Sequence, residues 1–324
     1  MNKFTKIGLS ALAGSLVAFS AQAGSLSASG AASMTFSNGD DKSTTHEGNQ
    51  WTMGDSVTMT GSGEMDNGMT ISVSYELDGD AADTGSTLDS HSMTLDTNGM
   101  GTITFAGHGG STAMSALDDV TPNAYEESWD VVTGGGGVTG APTLVDGLSG
   151  NNTFTYKSPD LGGATITVAY INASDAITDV SYMDFAIAAD IAAVDGLSVG
   201  FGMAETEEAT GTVIDDSTMY AKYTYGSMTV GYQVSESDGP TSATDIDFTA
   251  AGITYAVTDD FTVGYSTSKS EKASDSDEQE ATAIGASYTS GGITIGGSMN
   301  SIDNVGFDAS ADRDGYEFNI AFAF

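Results

Sequence analysis

Apolar side chains recur at every second position through most of this chain, and the residues between them are mostly Ser and Thr. The runs Met69, Ile71, Val73, Tyr75, Leu77 and Met228, Val230, Tyr232, Val234 alternate without a break. A period of two puts successive side chains on opposite faces of an extended strand, so each segment has one apolar and one polar face. The pattern predicts strands at 26–36, 56–65, 69–77, 91–97, 101–107, 152–158, 164–171 and 181–190. Eight more follow at 197–203, 218–225, 228–235, 247–257, 261–268, 281–289, 293–300 and 315–324. The segments 181–190 and 247–257 switch phase, which leaves the count open by two.

The connections alternate between short and long. Short ones such as Asp66-Asn67-Gly68, Asn98-Gly99, Asp195-Gly196 and Gly291-Gly292 suit tight hairpins. Long ones run over 37–55, 78–90, 108–151, 172–180, 204–217, 236–246, 269–280 and 301–314, and they concentrate the acids. Turns on one side and loops on the other is the layout of an outer-membrane barrel. All four Pro fall in connections, as a hydrogen-bonded sheet requires. Aromatics sort by strand direction: Phe36, Tyr75 and Tyr232 sit near the loop ends of their strands, and Tyr156, Tyr255 and Phe322 near the turn ends. Two girdles at two membrane interfaces explain that sorting, whereas a soluble sandwich has no reason for it.

The two ends of the chain agree. Lys3 and Lys6, the apolar stretch Ile7 to Phe19 and the Ala21-Gln22-Ala23 site read as a signal peptide over 1–23, with a mature barrel domain over 24–324. The closing strand puts Tyr316, Phe318, Ile320, Phe322 and Phe324 on one face and Glu317 and Asn319 on the other. Nine residues rising about 3.3 Å each, tilted by roughly 40°, cover about 23 Å, close to the apolar band of such barrels.

Composition and charge narrow the class. With 324 residues, 42 Gly, no Cys and 39% hydrophobics, the chain lacks the apolar mass of a packed core but has enough for a water-filled barrel. No disulfide or thiolate chemistry is available. Removing the two leader lysines leaves six bases against 45 acids, a formal charge of −39. Such a chain is a poor partner for nucleic acid, whose phosphates are held by clustered Lys and Arg. Cations are better suited.

The start Gly24-Ser25-Leu26-Ser27-Ala28-Ser29-Gly30, the stretch Asn152 to Gly163 and the terminal Phe324 resemble Gram-negative general diffusion porins, most nearly the Gly- and Ser-rich alphaproteobacterial type. The resemblance covers essentially the whole mature chain. It implies a trimer in the outer membrane, insertion machinery that reads the terminal residues Tyr316, Phe318, Phe322 and Phe324, and a third long loop that folds into the lumen. Here that loop is 108–151, the longest connection, although it lacks a Pro-Glu-Phe-Gly-Gly stretch and carries Gly134 to Gly137 instead.

On that basis the candidate constriction residues are Asp118, Asp119, Glu126, Glu127 and Asp130 on the loop, with Lys157 and Lys222 as counter-charges. If the apolar positions face outward, the lumen wall carries Glu64, Glu76, Asp96, Asp184 and Glu317. Ion pores select through patches of one sign, so a cation preference is expected. Enzymatic readings find no support. The three His lie at loop edges, no Gly-x-Ser-x-Gly occurs, and Gly134 to Gly137 is not followed by a Gly-Lys-Ser or Gly-Lys-Thr. No cofactor is expected. Ca²⁺ at acidic loops such as Asp275-Ser276-Asp277-Glu278 stays open, because the run lacks the ligand order of an EF-hand. The expected fold is an all-β transmembrane antiparallel barrel of about sixteen strands with an inserted third loop, passing small hydrophilic solutes by passive diffusion. The alternatives are a secreted or surface-attached acidic adhesin or Ca²⁺-binding structural protein, and a substrate-specific outer-membrane channel.

Overall fold

The computed structural model describes residues 25–41, 48–78, 88–118, 120–130, 147–148, 150–172, 180–208 and 210–324. The leader over 1–23, Asp119 and 131–146 of the third loop lie outside the described residues.

Among the described residues sixteen strands form one closed barrel in which each pairs antiparallel with its sequence neighbours and the last closes on the first. They are β1 (Leu26–Asp41), β2 (Gly48–Glu64), β3 (Thr70–Asp78), β4 (Ser90–Asp96), β5 (Thr102–His108), β6 (Thr153–Lys157), β7 (Ala164–Ile171) and β8 (Ser181–Asp190). The second half holds β9 (Leu197–Glu207), β10 (Val213–Tyr225), β11 (Met228–Asp238), β12 (Ile246–Ala256), β13 (Phe261–Lys272), β14 (Gln279–Ser290), β15 (Ile293–Asp303) and β16 (Arg313–Ala323). Closure leaves no edge, so every spanning backbone group can pair inside the sheet, as a bilayer demands.

Residues directly opposite across an antiparallel pair share a face, so the register fixes which side chains point out. Met34 stands opposite Met53, Phe36 opposite Trp51, Tyr232 opposite Ala251 and Tyr265 opposite Ile284. The outward face therefore carries the exposed Met, Tyr and Phe side chains, including Tyr75, Tyr170, Tyr225, Tyr255 and Phe322. This is the reverse of a soluble core, and it matches an apolar solvent.

The turn ends agree with the sequence pattern, whereas several loop ends do not. β1 and β2 stay paired up to Gly39 opposite Gly48, so the strands take in most of the expected 37–55 loop. Likewise β9 runs on to Glu207, and β10 begins at Val213. Above the apolar band the outward positions become acidic, as at Glu205, Asp215, Glu236 and Asp247. Hydrophobic alternation stops there, but the backbone ladder does not need it. At the opposite end Gly196 takes a φ of 84°, and a Cβ there would collide with the carbonyl of Thr224, so that turn requires glycine.

Candidate functional site: the inserted third loop and the lumen

The third loop leaves β5 at His108 and rejoins the barrel before β6. Its base is closed by reciprocal backbone bonds between Gly110 and Gly150, 2.9 and 3.1 Å, and by His108 Nδ1 against Asn151 Oδ1 at 2.6 Å. From there the segment turns into the barrel. A short 3-10 turn, Met114–Ala116, buries Met114 against Ile171, Tyr182 and Ala204, while Ala113 and Leu117 join Ala186.

Beyond Leu117 the segment follows the inner wall toward β16. Gln233 donates its amide N–H to the carbonyls of Leu117 and Asp118 at 2.6 and 3.0 Å. Five successive strands, β11 to β15, then present an inward glycine: Gly231, Gly252, Gly264, Gly285 and Gly296. The segment lies where their side chains would be. A Cβ on Gly231 would stand 2.5 Å from Pro122 Cδ, and one on Gly264 would stand 3.0 Å from Ala124 Cβ. On Gly252 and Gly296 it would collide with the Pro122 carbonyl and the Tyr125 ring. Backbone can approach backbone this closely only without a Cβ between them.

The far end is held by polar and aromatic contacts. Tyr125 donates its hydroxyl to Glu317, and Asn300 donates its amide to the carbonyls of Glu127, Ser128 and Asp130 at 2.7, 3.4 and 3.3 Å. Ser128 Oγ meets Ser268 Oγ at 3.1 Å. Trp129 packs edge-on against Phe248 at 5.3 Å, within a cluster of Ala250, Ala281, Ile302 and Val305.

This course brings Glu126, Glu127 and Asp130 together, with one carboxylate oxygen of each within 4.8 Å of the others. Burial, then the hydrogen bond and charge of Asp130, then the charges of Glu127 and Glu317 push the Glu126 carboxyl up to about 8. Burial and the neighbouring Glu317 likewise raise the Tyr125 hydroxyl, so it remains a donor. Across the lumen the inward positions of β1 to β5 are mostly hydroxyls, such as Ser29, Ser33, Thr58, Ser74, Thr94 and Thr104.

The other candidate residues scatter. Glu64, Asp96 and Lys157 face inward at the turn ends of β2, β4 and β6, and Lys222 faces inward on the turn side of β10. Glu76 lies near the loop end of β3 and accepts Ser90 Oγ at 3.0 Å. Asp184 faces inward but is buried beneath the inserted segment. In the Asp275 run, Asp275 pairs with Lys272 at 3.2 Å and Glu278 with Lys269 at 2.7 Å. Tyr316, Phe318 and Phe322 face outward. Gln233, Asn300 and the glycine line were not among the sequence candidates. Their signal was an amide or a bare glycine at inward positions shared with Ser, Thr and Ala.

A closed, lipid-facing antiparallel barrel with a segment folded along its inner wall is the architecture of a porin. The chain belongs to the Gram-negative porin family, whose profile matches residues 8–282. It is similar in structure to the anion-selective porin from Comamonas acidovorans, at TM-score 0.69 and 17% identity over 93% of this chain and 99% of that one. It is also similar to a Rhodopseudomonas blastica porin triple mutant, at TM-score 0.68 and 19% identity over 93% and 100% of the two chains. In-vitro folded OmpT of Vibrio cholerae matches at TM-score 0.68 and 13% identity over 93% and 98%. No curated protein sequence matches this chain. The protein is thus an outer-membrane channel, and the adhesin reading falls away.

Proposed function

We propose that this porin is a cation-preferring general diffusion channel for small hydrophilic solutes. The observation that carries the reading is the Glu126, Glu127 and Asp130 group, held on the seated loop with no base beside it in sequence from residue 109 to 156. Glu127 and Asp130 supply charge of one sign inside a low-dielectric wall, which concentrates counter-ions, and Glu126 adds to it as it ionises. Lys157 and Lys222, on β6 and β10, supply sparse counter-charge. A porin of this fold is described as anion-selective, so the fold leaves the sign of selectivity to the lining residues.

The same reading has the leader removed before Gly24, the long loops outside the cell, the terminal Tyr316, Phe318, Phe322 and Phe324 read by the insertion machinery, and three copies associating. It needs no resident cofactor. Its test is a pair of variants in a planar bilayer under a KCl gradient. Glu127→Gln with Asp130→Asn should lower the K⁺ to Cl⁻ permeability ratio, and Asp275→Asn with Asp277→Asn should change it far less. Equal effects would move the selecting charge away from the inserted segment.

A further inference from the structure

We infer that Asp184 pins the start of the inserted segment to the barrel wall and thereby sets the width of the passage. It is only 2% exposed, although it is an acid on an inward-facing position of β8. Its Oδ2 accepts the backbone N–H of Met114 at 2.7 Å and the Tyr182 hydroxyl at 3.0 Å, and its Oδ1 accepts the backbone N–H of Ala169 at 3.0 Å. The three donors come from the inserted segment, β8 and β7.

A buried carboxylate is costly unless donors surround it, and an ionised one can only accept. The Met114 N–H is a natural donor, because it opens the 3-10 turn, where backbone N–H groups have no partner within the turn. The side chains around this bond exclude water. Met114 is fully buried, its sulfur lies over Gly202, and Ala113 and Leu117 pack with Ala186, the next inward residue of β8.

The next wall group along the segment works in the opposite sense. Gln233 donates to the carbonyls of Leu117 and Asp118. Asp184 thus fixes the donor end of this stretch and Gln233 its acceptor end, and the segment between them cannot swing into or out of the passage. The carboxylate is committed to two backbone N–H groups and the Tyr182 hydroxyl instead of facing solute, which separates it from Glu127 and Asp130. The width-setting half of the inference rests on the reading that the segment narrows the passage.

The experiment uses the assembled full-length porin with Asp184→Ala, Asp184→Asn and Tyr182→Phe, each checked for heat-modifiable migration. Peroxide oxidation of Met114, mapped by peptide mass spectrometry, reports the pin without reference to transport. Met114 should stay protected in the wild type and in Tyr182→Phe become partly oxidised, while in Asp184→Ala it should oxidise nearly as readily as Met100, which is 69% exposed. Asp184→Asn should fall between, since it keeps one acceptor oxygen. In the same order, single-channel conductance should rise and polymer exclusion should shift to larger polyethylene glycols. Met114 as protected in Asp184→Ala as in the wild type would overturn the pin. Oxidised Met114 with unchanged conductance would overturn its control of width. If Asp184→Ala does not assemble, the Asp184→Asn and Tyr182→Phe pair decides the question by the same readouts.

Discussion

The ring of Phe324 lies on Gly30: a Cβ added to Gly30 would stand 2.7 Å from Phe324 Cζ, and the two residues exchange both backbone hydrogen bonds at 2.9 Å. The final residue therefore extends the β1 to β16 closure by one pair, with its ring stacked against Phe322 at 5.8 Å. Closing the barrel and seating the last aromatic are one event. Deleting Phe324, or replacing Gly30 by Trp, should lower the yield of heat-modifiable barrel. A variant of Gly63, where an added Cβ meets nothing within 4 Å, is the control. On the same strand Ile320→Arg faces lipid, at a cost of about 2–4 kcal/mol near the bilayer centre, and should assemble worse than Asn319→Arg, which faces the lumen.

The glycine seat can be tested without touching a charge. Gly252→Val would drive a side chain into the Pro122 carbonyl, and overpacking of this kind costs about 1–3 kcal/mol. The barrel should still assemble, because its ladder is intact, but the inserted segment should lift and single-channel conductance should change. Wild-type conductance in Gly252→Val would contradict the seat.

The acidic group should respond to pH. Glu126 holds its proton well above the usual carboxylate range, so its contribution to the seated loop is fully present below about pH 4 and is lost as pH rises through about 8. Ionisation over that upper window adds a negative charge to the lumen. The K⁺ to Cl⁻ ratio should therefore climb between about pH 7 and about pH 9, and Glu126→Gln should flatten the climb. A flat wild-type profile would place the shifted proton elsewhere.

The outward face of β1 and β2 bears on association. It carries Ala28, Ala32, Gly61 and Gly63, and small residues permit close approach of membrane surfaces. Gly30 shares that face but is occupied by Phe324, so substituting it would report barrel closure. Trp at both Gly61 and Gly63 should loosen the oligomer on a native gel, and an unchanged oligomer would leave this face to lipid.

Period-two alternation made every strand legible, down to the two that blur. β8 and β12 switch phase in sequence because Tyr182 and Phe248 point inward, where Ser or Thr is usual. Both are nearly fully buried by the inserted segment, Tyr182 with Met114 and Phe248 with Trp129. The blur was the segment's footprint. Its path was not legible, because the inward glycines form a line only once Gly231 is known to face Gly252, and Gly264 to face Gly285. The loop acids were legible as a group. Their sorting was not: Asp184 and Glu317 look like further lumen charges until their donors, Met114 and Tyr125, are in view.

Whether the lumen carboxylates select for cations is decided by the sign of the channel's reversal potential. Purified wild-type porin in a planar bilayer, with concentrated KCl on one side and dilute KCl on the other, should give a reversal potential of the sign set by K⁺ crossing faster than Cl⁻. The magnitude should shrink as total salt rises, because screening shortens the Debye length to about 8 Å near 0.15 M and less above it. A reversal potential of the opposite sign, or none, would show that the Glu126, Glu127 and Asp130 group does not govern the passage.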